Sequence, residues 1–245
     1  ASPDGKWLAI GGADHFTKMW SVTEGRFVTS LEATKPPIGV VTFSPNSKYL
    51  AHTSPTDGLV WIWKVGMPEA ELILIEAADG CTLESLSFHP DGRRIAVGGV
   101  DYLSTGKRDG AVCVWDIPTK DKLFTIDIGV NAVAFDPQGK YLAGAGFDEA
   151  VYVWDAESQE TIFVLGGHQE KIHAVAFNPD GSYIVSGGDD CTIRVWDVLS
   201  GRFLVAREFD SPIHSLAFSP DGWHLYCGNG NTTCYQIEFK RLLED

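Results

Sequence analysis

Residues 161–197 read TIFVLGGHQEKIHAVAFNPDGSYIVSGGDDCTIRVWD. Four apolar runs, TIFVL, IHAVAF, YIVSG and TIRVWD, are separated by the polar turns GGHQEK, NPDG and GDDC. IHAVAF alternates apolar and small residues with period two, as a half-buried strand does. Runs this short are too brief for helices, and Pro, Asp and Gly in the turns supply tight reversals. The stretch therefore predicts one sheet of four short antiparallel strands. It also holds Ser186, His168 and two adjacent aspartates, Asp189 and Asp190, which are the parts of a hydrolytic triad or the start of a metal site.

The same pattern recurs along the whole chain. Turn prolines stand at Pro3, Pro45, Pro90, Pro137, Pro179 and Pro220, at intervals of 42, 45, 47, 42 and 41 residues. A second ruler agrees. An Asp precedes a Trp by six residues in Asp14/Trp20, Asp57/Trp63, Asp109/Trp115, Asp148/Trp154 and Asp190/Trp196, and Asn231/Ile237 keeps the spacing in the sixth segment. Periods of roughly 40 residues mark a repeat architecture in which each unit buries its faces against its neighbours.

Composition narrows the function classes. Of 245 residues, 44% are hydrophobic and 21% charged, which is ordinary for a globular chain. No apolar run approaches the ~18 residues of a membrane span. No signal peptide is visible, although the chain begins at Ala1 rather than Met. The 19 basic against 33 acidic side chains leave a formal charge of −14. That balance argues against nucleic acid or an anionic membrane as main partner and favours proteins or peptides, basic ones included. Five cysteines, none in a CxxC pair, suit a reducing, cytoplasmic setting rather than a disulfide framework or a thiolate zinc site. Cys227 and Cys234 are placed to face each other across a hairpin, with free thiols favoured over a bridge.

The GH…WD unit with its SPDG-type turn resembles the WD40 family over essentially all 245 residues. The resemblance implies an all-β fold, a WD40 β-propeller of six visible four-stranded blades around a central channel. The chain is then a single domain, 1–245, with repeat cores near 2–21, 44–64, 89–116, 136–155, 178–197 and 219–238. The first repeat begins at SPDG and lacks its innermost strand. The last ends in KRLLED where an outer strand belongs. Since such propellers are usually closed by N-terminal residues, the expectation is that further chain precedes Ala1, completing a six- or seven-bladed ring.

The resemblance also resolves the apparent triad. In a WD40 blade the His of GH and the hairpin Asp lie in turns at the same end. It therefore implies that His168 bonds Asp190, that the imidazole continues to Ser186, and that Ser186 reaches the indole N–H of Trp196. Such a chain is a structural clamp between turns. A catalytic serine needs exposure and an oxyanion site, and Ser186 sits in a strand pattern, not on a Gly-x-Ser-x-Gly elbow. Adjacent Asp189 and Asp190 point apart, which weakens a metal there. No catalytic, cofactor or metal residue is assigned. The other repeats lack most of the clamp: Asp148 has Gly144 in place of a Ser, and Thr53/Asp57 keep two members.

Function is then expected on the rim shared by the turn into each inner strand and the hairpin turn. The repeat register places Lys171, His173 and Asp189 there in the fifth unit, His214 in the sixth, Asn131 and Phe147 in the fourth, and Glu84 and Arg108 in the third. Phe147, an aromatic just before a turn Asp, suits an interface anchor. The third unit carries eight extra residues around VDYLSTGKRDG, whose Tyr102, Lys107 and Arg108 extend the same rim. On the opposite rim Trp7, Tyr49, Arg94, Tyr141, Tyr183 and His224 each follow the turn Pro by four residues and read as packing. The expected function is a monomeric, non-catalytic protein-interaction scaffold. The alternatives are a reader of a basic peptide at the channel mouth and a regulatory C-terminal module of a kinase or NTPase.

Overall fold

The computed structural model describes residues 1–32, 37–54, 58–66, 72–76, 82–100 and 110–244. Two compact units, Ala1–Val130 and Asn131–Asp245, each carry three antiparallel sheets. In the first unit, sheet one is β1 (Trp7–Gly11), β2 (Phe16–Ser21) and β3 (Arg26–Glu32). Sheet two is β4 (Val41–Phe43), β5 (Tyr49–Ser54), β6 (Leu59–Lys64) and β7 (Leu72–Glu76). Sheet three is β8 (Thr82–Phe88), β9 (Arg94–Val100), β10 (Gly110–Asp116) and β11 (Asp121–Ile126). In the second unit, sheet four is β12 (Ala132–Phe135), β13 (Tyr141–Ala145), β14 (Ala150–Asp155) and β15 (Thr161–Gly166). Sheet five is β16 (Ile172–Phe177), β17 (Tyr183–Gly188), β18 (Thr192–Asp197) and β19 (Phe203–Glu208). Sheet six is β20 (Ile213–Phe218), β21 (His224–Asn229) and β22 (Cys234–Glu238), followed by the helix α1 (Phe239–Glu244).

Every sheet pairs its strands in chain order. Sheets two to five have the four strands expected. Sheets one and six have three, in keeping with a first repeat that lacks its innermost strand and a last repeat that lacks its outer one. The repeat register gives the reason: sheet one starts with the strand after the Pro turn, and sheet six ends with the second hairpin strand. In sheet six, α1 follows at once and buries Phe239 against Tyr183 and Phe218, with ring centroids 5.5 and 4.8 Å apart.

The Pro turns are built the same way in five of six repeats. The side chain just before the proline accepts the backbone N–H that opens the next strand: Ser2 from Trp7 (2.9 Å), Ser44 from Tyr49 (2.9 Å), Asp136 from Tyr141 (2.7 Å), Asn178 from Tyr183 (2.8 Å) and Ser219 from His224 (2.9 Å). In the third repeat His89 holds that place and Asp91 accepts from Arg94 instead. The turn needs a left-handed residue, supplied by glycine at Gly181 (φ 76°) and by Ser47 (φ 56°) in the one repeat that lacks it.

Hydrophobic cores lie between successive sheets within each unit. Val60, Ile62, Leu83 and Ile95 join sheets two and three. Val151, Val153, Ile172 and Ile184 join sheets four and five, and Val185, Ile193, Ile213 and Leu225 join five and six. Each fully buried Ile or Leu adds roughly 1.5–3 kcal/mol of transfer free energy. This explains why a middle strand such as β17 is buried on both faces. Trp7, Tyr49, Tyr141 and Tyr183 pack onto these cores, each from the first position of its strand.

Candidate functional site

The polar chain in sheet five is continuous. His168 Nδ1 lies 2.8 Å from Asp190 Oδ2, and His168 Nε2 lies 2.8 Å from Ser186 Oγ. Trp196 Nε1 donates to Ser186 Oγ at 3.2 Å. The donors fix the tautomer. The carboxylate accepts, so Nδ1 carries the proton; Nε2 then accepts from the Ser186 hydroxyl, whose oxygen accepts from the indole. Ser186 and Trp196 are buried, and the His168 side chain is wholly inaccessible. An inaccessible hydroxyl that already donates to its own imidazole has no room for an acyl substrate. Burial lowers the His168 pKa against the raising effect of Asp190. For Asp190, burial raises the pKa, but the Gln169 N–H and Thr192 hydroxyl outweigh it and leave the carboxyl below its ordinary value.

The residue before Asp190 in the same turn aims its side chain the other way. Asp189 is 40% exposed at its side chain and accepts from His173 Nε2 at 2.8 Å. The turn is held by the Asp189 N–H on the Lys171 carbonyl (2.8 Å). Gly188 permits this, because a Cβ there would meet that carbonyl oxygen at 2.3 Å. The sixth sheet repeats the turn with the Gly230 N–H on the Pro212 carbonyl (2.9 Å).

His173 owes its direction to a bulge. β16 pairs Ile172 with Gly188 and Ala174 with Gly187, leaving His173 as the extra residue. β20 does the same around His214, and β8 around Glu84. A bulge re-aims the side chain it inserts. The imidazoles of His173 and His214 meet edge to face, centroids 4.8 Å apart at 69°. Beside them, Lys171 Nζ sits 4.2 Å over the ring of Phe147, which is half-buried. Hence the second unit brings Phe147, Lys171, His173, Asp189 and His214 to one end of sheets four to six.

Other expected rim residues fall differently. Asn131 is buried, 7% exposed, and donates from Nδ2 to the Ile172 carbonyl at 3.0 Å, so it ties sheet four to sheet five. Glu84 is half-buried in the first unit. Tyr102, Lys107 and Arg108 lie outside the described residues. Cys227 and Cys234 do not face each other. Cys227 pairs with Tyr235 and Cys234 with Gly228, so a one-residue offset sends them to opposite faces, one buried and one exposed, both as free thiols.

Two features escaped the sequence reading. Thr192 donates its hydroxyl to Asp190 at 2.8 Å, a side chain two residues on in the same turn. The contact between His173 and His214 was signalled by the matching Ile-His pairs at one repeat position in IHAVAF and IHSLAF.

Comparison with known proteins accords with this architecture. The family model for the WD domain, G-beta repeat, matches residues 1–21, 25–64, 77–116, 123–155 and 159–197. Among curated proteins, the chain is 31% identical over 171 residues to the human angio-associated migratory cell protein, covering 67% of this chain and 36% of that protein. It is 30% identical over 161 residues to nuclear distribution protein PAC1-1 of Uncinocarpus reesii, covering 64% and 28%. It is 27% identical over 169 residues to the periodic tryptophan protein 2 homolog of Dictyostelium discoideum, covering 66% and 18%. The chain thus matches well under two thirds of the length of these relatives. WD40 repeats generally serve as protein-interaction scaffolds and are typically non-catalytic. Among the described residues, no helix is long and apolar enough to cross a membrane. Five matched segments and six sheets built on one motif place the chain in the WD40 family.

Proposed function

We propose that this chain is a non-catalytic docking module that grips a protein partner through the rim at Phe147, Lys171, His173, Asp189 and His214. The observation that carries this reading is the Lys171–Phe147 pair, 4.2 Å from ammonium to ring centre, beside two bulge histidines aimed off their ladders. A ring held by a cation loses little rotamer freedom on binding, which suits an anchor. The strand edges do not need these side chains, so their loss leaves the sheets intact. The partner surface is a protein or peptide, and a basic segment is favoured by the chain's charge of −14. A cytoplasmic, monomeric module fits the free cysteines.

The test compares proteins captured by wild type and by the double variant Phe147→Ala/Lys171→Ala. The reading predicts loss of the wild-type partners with a melting temperature within a few degrees of wild type. Capture of the same partners in the same amounts would refute it.

A further inference from the structure

We propose that His173, Asp189 and His214 form a binding site for a divalent transition-metal ion of the zinc type. Their nitrogen and carboxylate ligand atoms all lie within 4.8 Å of one another. Two imidazoles and one carboxylate are donors that such ions favour, and hard cations such as Mg2+ favour oxygen instead. A metal 2.0–2.2 Å from each ligand would hold these atoms about 3–3.5 Å apart. Closing to that distance needs side-chain shifts of about 1 Å, and the exposed His214 can make them.

The backbone already does the costly part of the positioning. Both histidines are the inserted residues of equivalent bulges in adjacent sheets, so β16 and β20 deliver two imidazoles to one point. Asp189 comes from the turn fastened to Lys171, and the equivalent residue of sheet six is Gly230. A Cβ at Gly230 would stand 3.1 Å from His214 Nε2, so a larger residue there would crowd the ring that must move. The Lys171 ammonium, from the same turn, is drawn over Phe147. Three protein ligands leave a coordination position open, which water or a side chain of a docked protein can fill. The site does not depend on partner binding; it needs only this chain.

The full chain, stripped with chelator and desalted, is titrated with ZnCl2 by calorimetry and with CoCl2 by absorption. Because Cys234 is an exposed thiol and Cys191 a half-buried one, a Cys234→Ser/Cys191→Ser form is titrated beside wild type. The proposal predicts one equivalent of metal in both forms and a cobalt spectrum without a thiolate charge-transfer band. It predicts at least about tenfold weaker binding in His214→Ala and in Asp189→Asn, whose metal-free melting temperatures match wild type. Zinc raises the melting temperature of wild type and not of His214→Ala. Unchanged zinc affinity in His214→Ala, binding lost with the cysteines, or no binding at millimolar zinc would overturn it.

Discussion

Sheets four and five carry the same motif, and the two turn aspartates have opposite fates. Asp190 is buried and bonds His168, while Asp148 is exposed and accepts the Tyr152 hydroxyl at 2.5 Å. That hydrogen bond, with burial, pushes the Tyr152 pKa up to about 12. Where sheet five has Ser186 under its tryptophan, sheet four has Gly144, and Trp154 instead stacks on Tyr152 with centroids 5.8 Å apart. Both tryptophans are nearly inaccessible, at 1% and 2%. The fold therefore tolerates loss of the clamp, because hydrophobic packing between sheets holds the tryptophan either way. The clamp joins two turns and is local stabilisation added to a sheet that forms without it.

The largest expected effect breaks the clamp at its centre. His168→Ala strands Ser186 and Asp190 in a buried site and should destabilise by about 3 kcal/mol in a urea melt. A loss as small as that of an exposed side chain would mean the network is incidental.

A pH series sharpens the contrast. Burial holds the folded His168 pKa below its ordinary 6.5. Below that pH the unfolded chain binds a proton that the folded chain refuses, so unfolding is favoured. The His168 contribution is complete above pH 6.5 and fades as pH falls through that value toward the folded one. Asp190, held below its ordinary 3.8, adds a further loss only below that pH. Urea melts from pH 8 to pH 5 should show the gap between wild type and His168→Gln narrowing below pH 6.5. A constant gap would contradict the buried neutral imidazole.

The smallest effect belongs to sheet four. Asp148→Ala should change stability by no more than about 0.5 kcal/mol, because its partner Tyr152 can turn to water.

How much of this was legible in the residues differs by scale. The two rulers, Pro to Pro and Asp to Trp, located all six sheets, because strand and turn chemistry is local. The clamp was readable only through the WD40 resemblance, which places GH and the turn Asp at one end of a repeat. Thr192 was missed because a hydroxyl two residues after an Asp carries no signal of its own. The bulges at His173 and His214 were also invisible: a one-residue insertion in a strand leaves the apolar pattern of IHAVAF almost unchanged. Asn131 shows the opposite failure. Its repeat position matches that of His173, but its short amide folds inward onto the Ile172 carbonyl.

The central claim is that one turn divides two roles: Asp190 faces in and stabilises, while Asp189 faces out and is proposed as a recognition residue. Urea melts of Asp190→Ala and Asp189→Ala, run side by side with chelator present, test it most directly. The prediction is a loss of about 2–4 kcal/mol for Asp190→Ala and a change within about 0.5 kcal/mol for Asp189→Ala. Equal losses, or the larger loss at Asp189, would contradict it.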